Sequence, residues 1–346
     1  LFSKAQQFML TTDSDTFSPL TAKINALSTY NFNFQTNPIS LGTTIGFLDN
    51  AGKFSRFYEM TRILREGEPQ VVEQSAVVSR LFEKDLKTIS NSRENQIILF
   101  SEDDSSTLYG YRYFNQIEER SMASWFRWTL PGTIKYHCMQ DDSLFVVIQN
   151  GSQRELLKFT IKMDSNTVTL NDNRVHLDYL MPVSALAANA YSGGNTTFTK
   201  PTGLNGVGQL AVYDIDDTAN PAVAIGNYAE ATVSGNNIVI PGNWTGQAFY
   251  IGYLYPMSVT IPTIYYTQRE GDKFVADTRA NTILHRVKLG FGPVGFYQIE
   301  LQRIGKPTWN EQYEVTPANT VTANSPGVFD DNILRTVPIY DRNTNA

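Results

Sequence analysis

The feature that most limits what this chain can fold into is a succession of short apolar runs, rich in aromatic and β-branched residues, each closed by Asn, Asp, Gly or Ser. Runs of that length and composition form strands, and the polar clusters between them form turns. Ile45 to Leu48, the turn Asp49-Asn50-Ala51-Gly52 and Phe54 to Met60 read as one hairpin. Ile97 to Phe100, the turn Ser101 to Ser106 and Leu108 to Phe114 read as a second. Tyr136 to Met139, the turn Gln140-Asp141-Asp142 and Leu144 to Gln149 read as a third, continued by Leu156 to Met163, Thr167 to Leu170 and, after Asn171-Asp172-Asn173, Val175 to Leu180. The hairpins open near Ile45, Ile97 and Tyr136, about 40 to 50 residues apart, a spacing that a β-propeller uses for its blades and that admits a propeller without requiring one. The chain is thus expected to be mainly β.

One segment reads as helix. Val71, Gln74, Val78, Leu81, Asp85 and Ile89 follow one face imperfectly, so Pro69 to Ile89 is expected to be a helical connector between blades, punctuated by Gly67 and by Asn91 to Arg93. The turn-rich Tyr191-Ser192-Gly193-Gly194-Asn195 marks the best domain boundary, giving blades over 1–190 and a second β-rich part over 191–346. From Pro201 through Gln268 there is no Lys or Arg, against the acids Asp214, Asp216, Asp217 and Glu230. Strands are expected there at Gln209 to Ile215, Ile238 to Ile240, Ala248 to Tyr255 and Val259 to Thr267. A β region without cations cannot follow phosphates by ion pairing, so it reads as sandwich or barrel packing, or as a subunit interface.

Composition narrows the function. The 28 Lys and Arg against 34 Asp and Glu leave a net charge of −6, and 41% hydrophobic with 18% charged residues describes a globular chain. Residues 1–190 carry 18 basic and 21 acidic residues and 191–346 carry 10 and 13, so neither part is a basic nucleic-acid domain. Cys138 is the single cysteine, which excludes an intramolecular disulfide and a C-x-x-C site. No apolar run approaches the roughly 18 to 20 residues of a membrane span. The chain starts at Leu1, within strand-like sequence, and is expected to be a piece of a longer polypeptide.

Motifs for chemistry are sparse. His137, His176 and His285 sit in expected strands without a partner at metal-ligand spacing, and the neighbours His137 and Cys138 point to opposite faces of a strand. The pairs Asp103-Asp104, Asp141-Asp142 and Asp216-Asp217 fall where turns are expected, and Asp is itself a turn residue. Gly290-Phe-Gly-Pro-Val-Gly295 matches a dinucleotide loop in letters only, because Pro293 and the flanking strands leave no helix N-terminus to hold a phosphate. Ser124-Trp125-Phe126-Arg127-Trp128 is the densest aromatic cluster; alternation allows Arg127 to stack on Trp125 while Phe126 and Trp128 enter a blade core. No catalytic, cofactor or metal residue is assigned, and the chain is expected not to be an enzyme.

The order of the segments carries more than any one of them. Leu1-Phe2-Ser3, Gln7-Phe8-Met9-Leu10, Ser18-Pro19-Leu20-Thr21, Pro38-Ile39-Ser40-Leu41-Gly42 and Ile45-Gly46-Phe47-Leu48 resemble, in order and spacing, the tail tubular protein B family, the nozzle proteins of T7-like short-tailed bacteriophages. The resemblance continues through Leu108-Tyr-Gly-Tyr-Arg-Tyr113, Arg120-Ser-Met-Ala-Ser-Trp-Phe-Arg-Trp128 and Leu144-Phe-Val-Val-Ile-Gln149 with Leu156-Leu157, and more weakly through Gly235 to Tyr255 and Ala280 to Arg303. It implies a virion tail protein whose subunits combine a β-propeller with a β-rich platform. Six copies would ring the channel through which double-stranded DNA leaves, below the tail adaptor protein and near the tail fibres. Against the family pattern, the chain lacks an N-terminal part with the first blade or blades, and further sequence is expected beyond the polar tail at Ala346.

The residues are compatible with that role. A conduit must not grip its cargo, and an acidic protein repels a duplex over the roughly 8 to 10 Å that salt leaves unscreened. Asp103, Asp104, Asp141 and Asp142, at expected hairpin turns, are the candidate acidic loop tips facing the lumen, and the charge-poor 201–268 region is a candidate interface between subunits. The alternatives are a propeller glycosidase working through paired carboxylates about 5 to 9.5 Å apart and a module that binds a host surface polysaccharide through exposed aromatics.

Overall fold

The structure is a computed structural model; it describes residues 1–346 other than 13–15, 51, 62–69, 83–85, 117–118, 162–168, 171–172, 175–176, 185–188, 215–227, 257, 259–265, 271–272, 278–281, 292–295, 303–305, 315–332 and 344–346. The chain forms two compact units, Leu1–Ser165 and Asn166–Ala346. Both are built from antiparallel sheets.

The first unit is a series of meanders. A hairpin of β1 (Gln7–Thr12) and β2 (Ala22–Ser28) comes first. Four strands follow in chain order, β3 (Ile39–Ser40), β4 (Thr44–Asp49), β5 (Arg56–Thr61) and β6 (Val71–Glu73). The second meander is β7 (Leu86–Ser92), β8 (Ile97–Glu102), β9 (Thr107–Gln116) and β10 (Glu119–Thr129). The third is β11 (Thr133–Gln140), β12 (Ser143–Asn150) and β13 (Gln153–Thr160). Ile39, Leu86 and Thr133 open successive meanders 47 residues apart each time.

Strand alternation gives each meander two apolar faces, and these fill the spaces between sheets. On one face of the first meander, Phe47, Tyr58 and Met60 pack with Phe32 and with Phe2, Leu27 and Tyr30 around the hairpin. On its other face, Leu48 and Phe57 meet Ile98, Phe100, Tyr109, Tyr111 and Tyr113 of the second meander. The opposite face of the second meander, with Ile97, Leu99 and Leu108, meets Ile134, Leu144, Val146 and Ile148 of the third.

The first strands of the meanders lie side by side. Asn91 of β7 donates from its side chain to the Ser40 carbonyl of β3 at 3.0 Å. Ser90 of β7 shares a 2.7 Å hydrogen bond with Nδ1 of His137 on β11. Ile134 N, at the start of β11, donates to the Ser105 carbonyl in the β8–β9 turn at 2.9 Å.

The expected helix over 69–89 is corrected by the structure. Val71 and Val72 extend the first meander, with Val71 opposite Met60 and Val72 opposite Glu59. Among the described residues of this segment the helical part is the single 3-10 turn Ala76–Val78, and Ile89 lies in β7. Two causes are visible. The supposed apolar stripe is broken by Gln74 and Asp85, while the β-branched pair suits the sheet edge. Gln74 N then donates to the Phe57 carbonyl at 2.9 Å and Ser75 Oγ accepts from Phe57 N at 3.0 Å, which tie this stretch to β5.

The second unit opens with the small pair β14 (Thr169–Leu170) and β15 (Asn173–Arg174). Its main body uses β16 (Asp178–Val183), β17 (Asn189–Ser192), β18 (Asn195–Thr199), β19 (Leu210–Asp214), β20 (Tyr228–Ser234), β21 (Asn237–Pro241) and β22 (Phe249–Tyr253). They form a seven-stranded sheet in the order β16-β22-β19-β20-β21-β18-β17. Gly193 and Gly194, at φ +59° and +83°, make the turn from β17 to β18. Leu210, Val212, Phe249, Ile251 and Tyr253 pack on one face with Trp244, and Ala211, Tyr213 and Tyr250 lie on the other with Leu177. Central strands covered on both faces leave no place for solvated cations. This burial accounts for the absence of cations from the central strands, while described residues elsewhere in 201–268, such as Val207 and Val233, are exposed and cation-free for another reason. Three ribbons follow: β23 (Tyr266–Glu270) with β24 (Lys273–Asp277), β25 (Thr282–Phe291) with β28 (Ile333–Asn343), and β26 (Phe296–Leu301) with β27 (Trp309–Glu314).

Candidate functional site

The polar groups at the ends of the meanders build the candidate site. Asp103 and Asp104 start the β8–β9 turn, and Asp141 and Asp142 are the two residues between β11 and β12; all four are exposed. Asp104 at φ +59° and Asp141 at φ +52° occupy the left-handed region, which Asp tolerates better than most side chains. Turn geometry therefore explains part of the acidity. Lys87 Nζ reaches Asp103 Oδ2 at 2.5 Å, and Lys135 Nζ pairs with Asp104. The hydrogen bond and charge of Lys87, helped by Lys135, hold the Asp103 carboxyl below the usual carboxylate range. Asp142 Oδ1 accepts from Asn95 Nδ2 at 2.9 Å, and among the described residues no cation pairs with Asp141 or Asp142.

The four do not form one patch. Successive turns of a meander alternate between the two ends of its sheet. Asn95, in the β7–β8 turn, meets Asp142, so these turns share one end. Asp103 and Asp104 lie at the other, beside the starts of β7 and β11.

β10 carries the aromatic cluster with its members on two faces. Trp125 sits among Phe57, Phe82, Phe100 and Tyr111, and its Nε1 donates to the Gln74 carbonyl at 3.1 Å. Phe126 and Trp128 face the third meander, where Trp128 stacks on Phe159 with ring centroids 5.8 Å apart. The Phe126 ring covers Gly110 so closely that a Cβ there would come within 2.0 Å of it. Arg127 is exposed, and among the described residues the cation-aromatic contacts of this strand are those of Arg120 over Tyr111 and Tyr113.

The sequence did not mark the Arg120–Glu59 pair, and it marked His137 only as a strand residue without a metal-ligand partner. Arg120 reaches across to the buried Glu59, with Nη2 2.8 Å from Oε1, while Nη1 pairs with Oε2 and meets the Tyr111 hydroxyl at 2.9 Å. Thr44 Oγ1 also donates to Glu59, at 3.1 Å. Burial opposes the charge on Arg120, but the Glu59 hydrogen bonds and charge outweigh it and raise the guanidinium above its ordinary value. His137 is 1% exposed, and its Nε2 has no hydrogen-bond partner. Burial pushes its pKa down to about 4 against a small opposing contribution at the Thr88 backbone, so the ring is neutral at pH 7. Among the described residues no group of His, Cys, Asp or Glu is placed to hold a metal ion. His285 lies on β25 and Cys138 on β11, whereas His176, Asp216, Asp217 and residues 292–295, where a turn is expected, lie outside the described residues.

The sequence profile of the bacteriophage nozzle protein family matches residues 1–346. The chain belongs to that family. No curated protein matches it. Membership makes the chain a structural component of the virion tail. In a nozzle protein the polar contacts act as fasteners: Arg120–Glu59 ties the first meander to the second, and Asp104–Lys135, Ser90–His137 and Asn95–Asp142 tie the second to the third at both ends and the middle. Asp141 and Asp142 add negative charge free of any ion pair seen among the described residues. Among these residues no helix is long and apolar enough to cross a membrane.

Proposed function

We propose that six copies of this nozzle-family chain form a ring below the tail adaptor protein, close to the tail fibres, and continue the channel through which double-stranded DNA is ejected. The observation that carries this reading is the family match over residues 1–346. The three meanders are its propeller blades, a reading supported by their 47-residue spacing, their face-to-face packing and their adjacent first strands. Blades within Leu1–Ser165 and a platform within Asn166–Ala346 make up the proposed subunit, the division falling before 190 because β16 and β17 join the second unit's sheet. The channel works passively: an acidic wall repels the duplex, so nothing holds it while it moves. Asp141 and Asp142 are the better lumen candidates, because Lys87 and Lys135 offset Asp103 and Asp104.

Cryo-electron microscopy of the assembled particle tests this reading. A sixfold ring of this chain around a continuous channel is the expected result. Density for the chain only as a peripheral appendage, with no channel through it, overturns the proposal.

A further inference from the structure

We infer that His137 makes the joint between the second and third meanders release under mild acid, while the joint between the first and second stays closed. The ring stands inside the joint. Its cross-strand partner Val146 belongs to the apolar filling between the two sheets, which puts the imidazole on that same inner face of the third meander, and His137 is 1% exposed. Ser90 Oγ of β7 lies 2.7 Å from Nδ1, and among the described residues Nε2 has no hydrogen-bond partner. A neutral ring suits such a place. An imidazolium carries an N–H on both nitrogens and a charge that apolar surroundings do not solvate.

The charged neighbours do not offset that proton. Among the described residues, Arg112 of β9 and Glu155 of β13 lie on the faces turned to the joint, opposite Ile97 and Ile148. Lys87 with Asp103 and Lys135 with Asp104 are paired at one end, and Asp142 accepts from Asn95 at the other. None of these groups shifts the imidazole, which burial holds near 4 against the small effect of the Thr88 backbone.

The two joints are fastened differently. Arg120 and Glu59 close the first with a two-pronged ion pair, and Trp125 Nε1 donates across it to the Gln74 carbonyl. The Arg120 guanidinium and the Tyr111 and Tyr113 phenols there are all raised, away from mild acid. The second joint has single contacts, at Ser90–His137, Asn95–Asp142, Asp104–Lys135 and the backbone bond from Ile134 to Ser105. Imidazole is the side chain whose ordinary value lies between pH 5 and 7.5. Once released, His137 takes up its proton near pH 6.5 rather than 4, so opening becomes about 30-fold more favourable between pH 7.5 and 5. The inference is independent of the ring reading above.

Hydrogen–deuterium exchange on the full chain, read by mass spectrometry and corrected for the intrinsic effect of pH on exchange, tests it. Amides of β11 to β13 should lose about 30-fold in protection from pH 7.5 to 5 and, at pH 5, exchange about tenfold or more faster than those of β8 and β9. His137→Asn should remove this pH dependence. Equal protection of β8–β9 and β11–β13 at pH 5 means that the unit opens as a whole, and overturns the inference. A pH dependence that survives in His137→Asn assigns the proton to another group and overturns it as well. Should that variant fail to fold, the comparison of the two sets of strands in the parent chain decides by itself.

Discussion

His137 shows how a residue with no catalytic task can still set the conditions under which a fold survives. Its depressed pKa, about 4 from burial, means that the unfolded chain takes up a proton near pH 6.5 while the folded chain does not. Stability contributed by the neutral ring is full above pH 6.5 and falls as the pH drops toward 4, by about 3 kcal/mol in all. His137→Asn, which can keep the Ser90 contact, should flatten that limb when urea midpoints are compared at pH 7.5 and 4.5. Arg120 tests the opposite case, a buried charge with a partner. Removing it in Arg120→Met strands the Glu59 carboxylate and should cost about 3 to 5 kcal/mol in chemical denaturation, whereas Arg120→Met with Glu59→Met should recover most of that loss. Neither role was legible in the sequence. Ser90 lies 47 residues before His137 and Glu59 lies 61 before Arg120, and only sheet stacking brings them together.

At the scale of the element, the hairpins were legible because their signals are local. Asp141-Asp142 between two alternating runs gives both strands and their register in one stretch of chain. The 71–89 segment misled because its 3.6-residue spacing was incomplete and the decisive partner, β5, lies earlier in the chain. Likewise, the absence of cations over 201–268 was visible, but burial of central strands on both faces and a subunit contact leave the same mark in sequence. β10 offers a direct measurement. Its Trp128 stacks on Phe159 between the second and third meanders, so Trp128→Ala should lower stability by about 3 kcal/mol. Calorimetry on the purified variant checks this; an unchanged melting temperature would show that the stacked pair adds nothing to the joint.

For the whole molecule, the family was legible from the collinear order of apolar segments, while the stacking order of the sheets was not, since no single segment encodes its neighbour across a face. With a net charge of −6 and no ion pair to offset Asp141 and Asp142 among the described residues, duplex binding should be undetectable at about 150 mM salt by fluorescence anisotropy. Asp141→Lys with Asp142→Lys should slow genome release without preventing assembly, read as ejection time in single particles; normal release would remove both residues from the channel wall. The side-by-side first strands also have a mechanical meaning. Backbone ladders run within each meander, whereas the polar ties described above between neighbouring meanders use side chains at Asn91, His137, Arg120 and Lys135 with a single backbone bond, Ile134 to Ser105, beside them. Under tension, such seams should part before the ladders do, and each meander would then unravel as one event. Stretching the chain between its ends should lengthen it in steps of about 160 Å, the extended length of one 47-residue repeat.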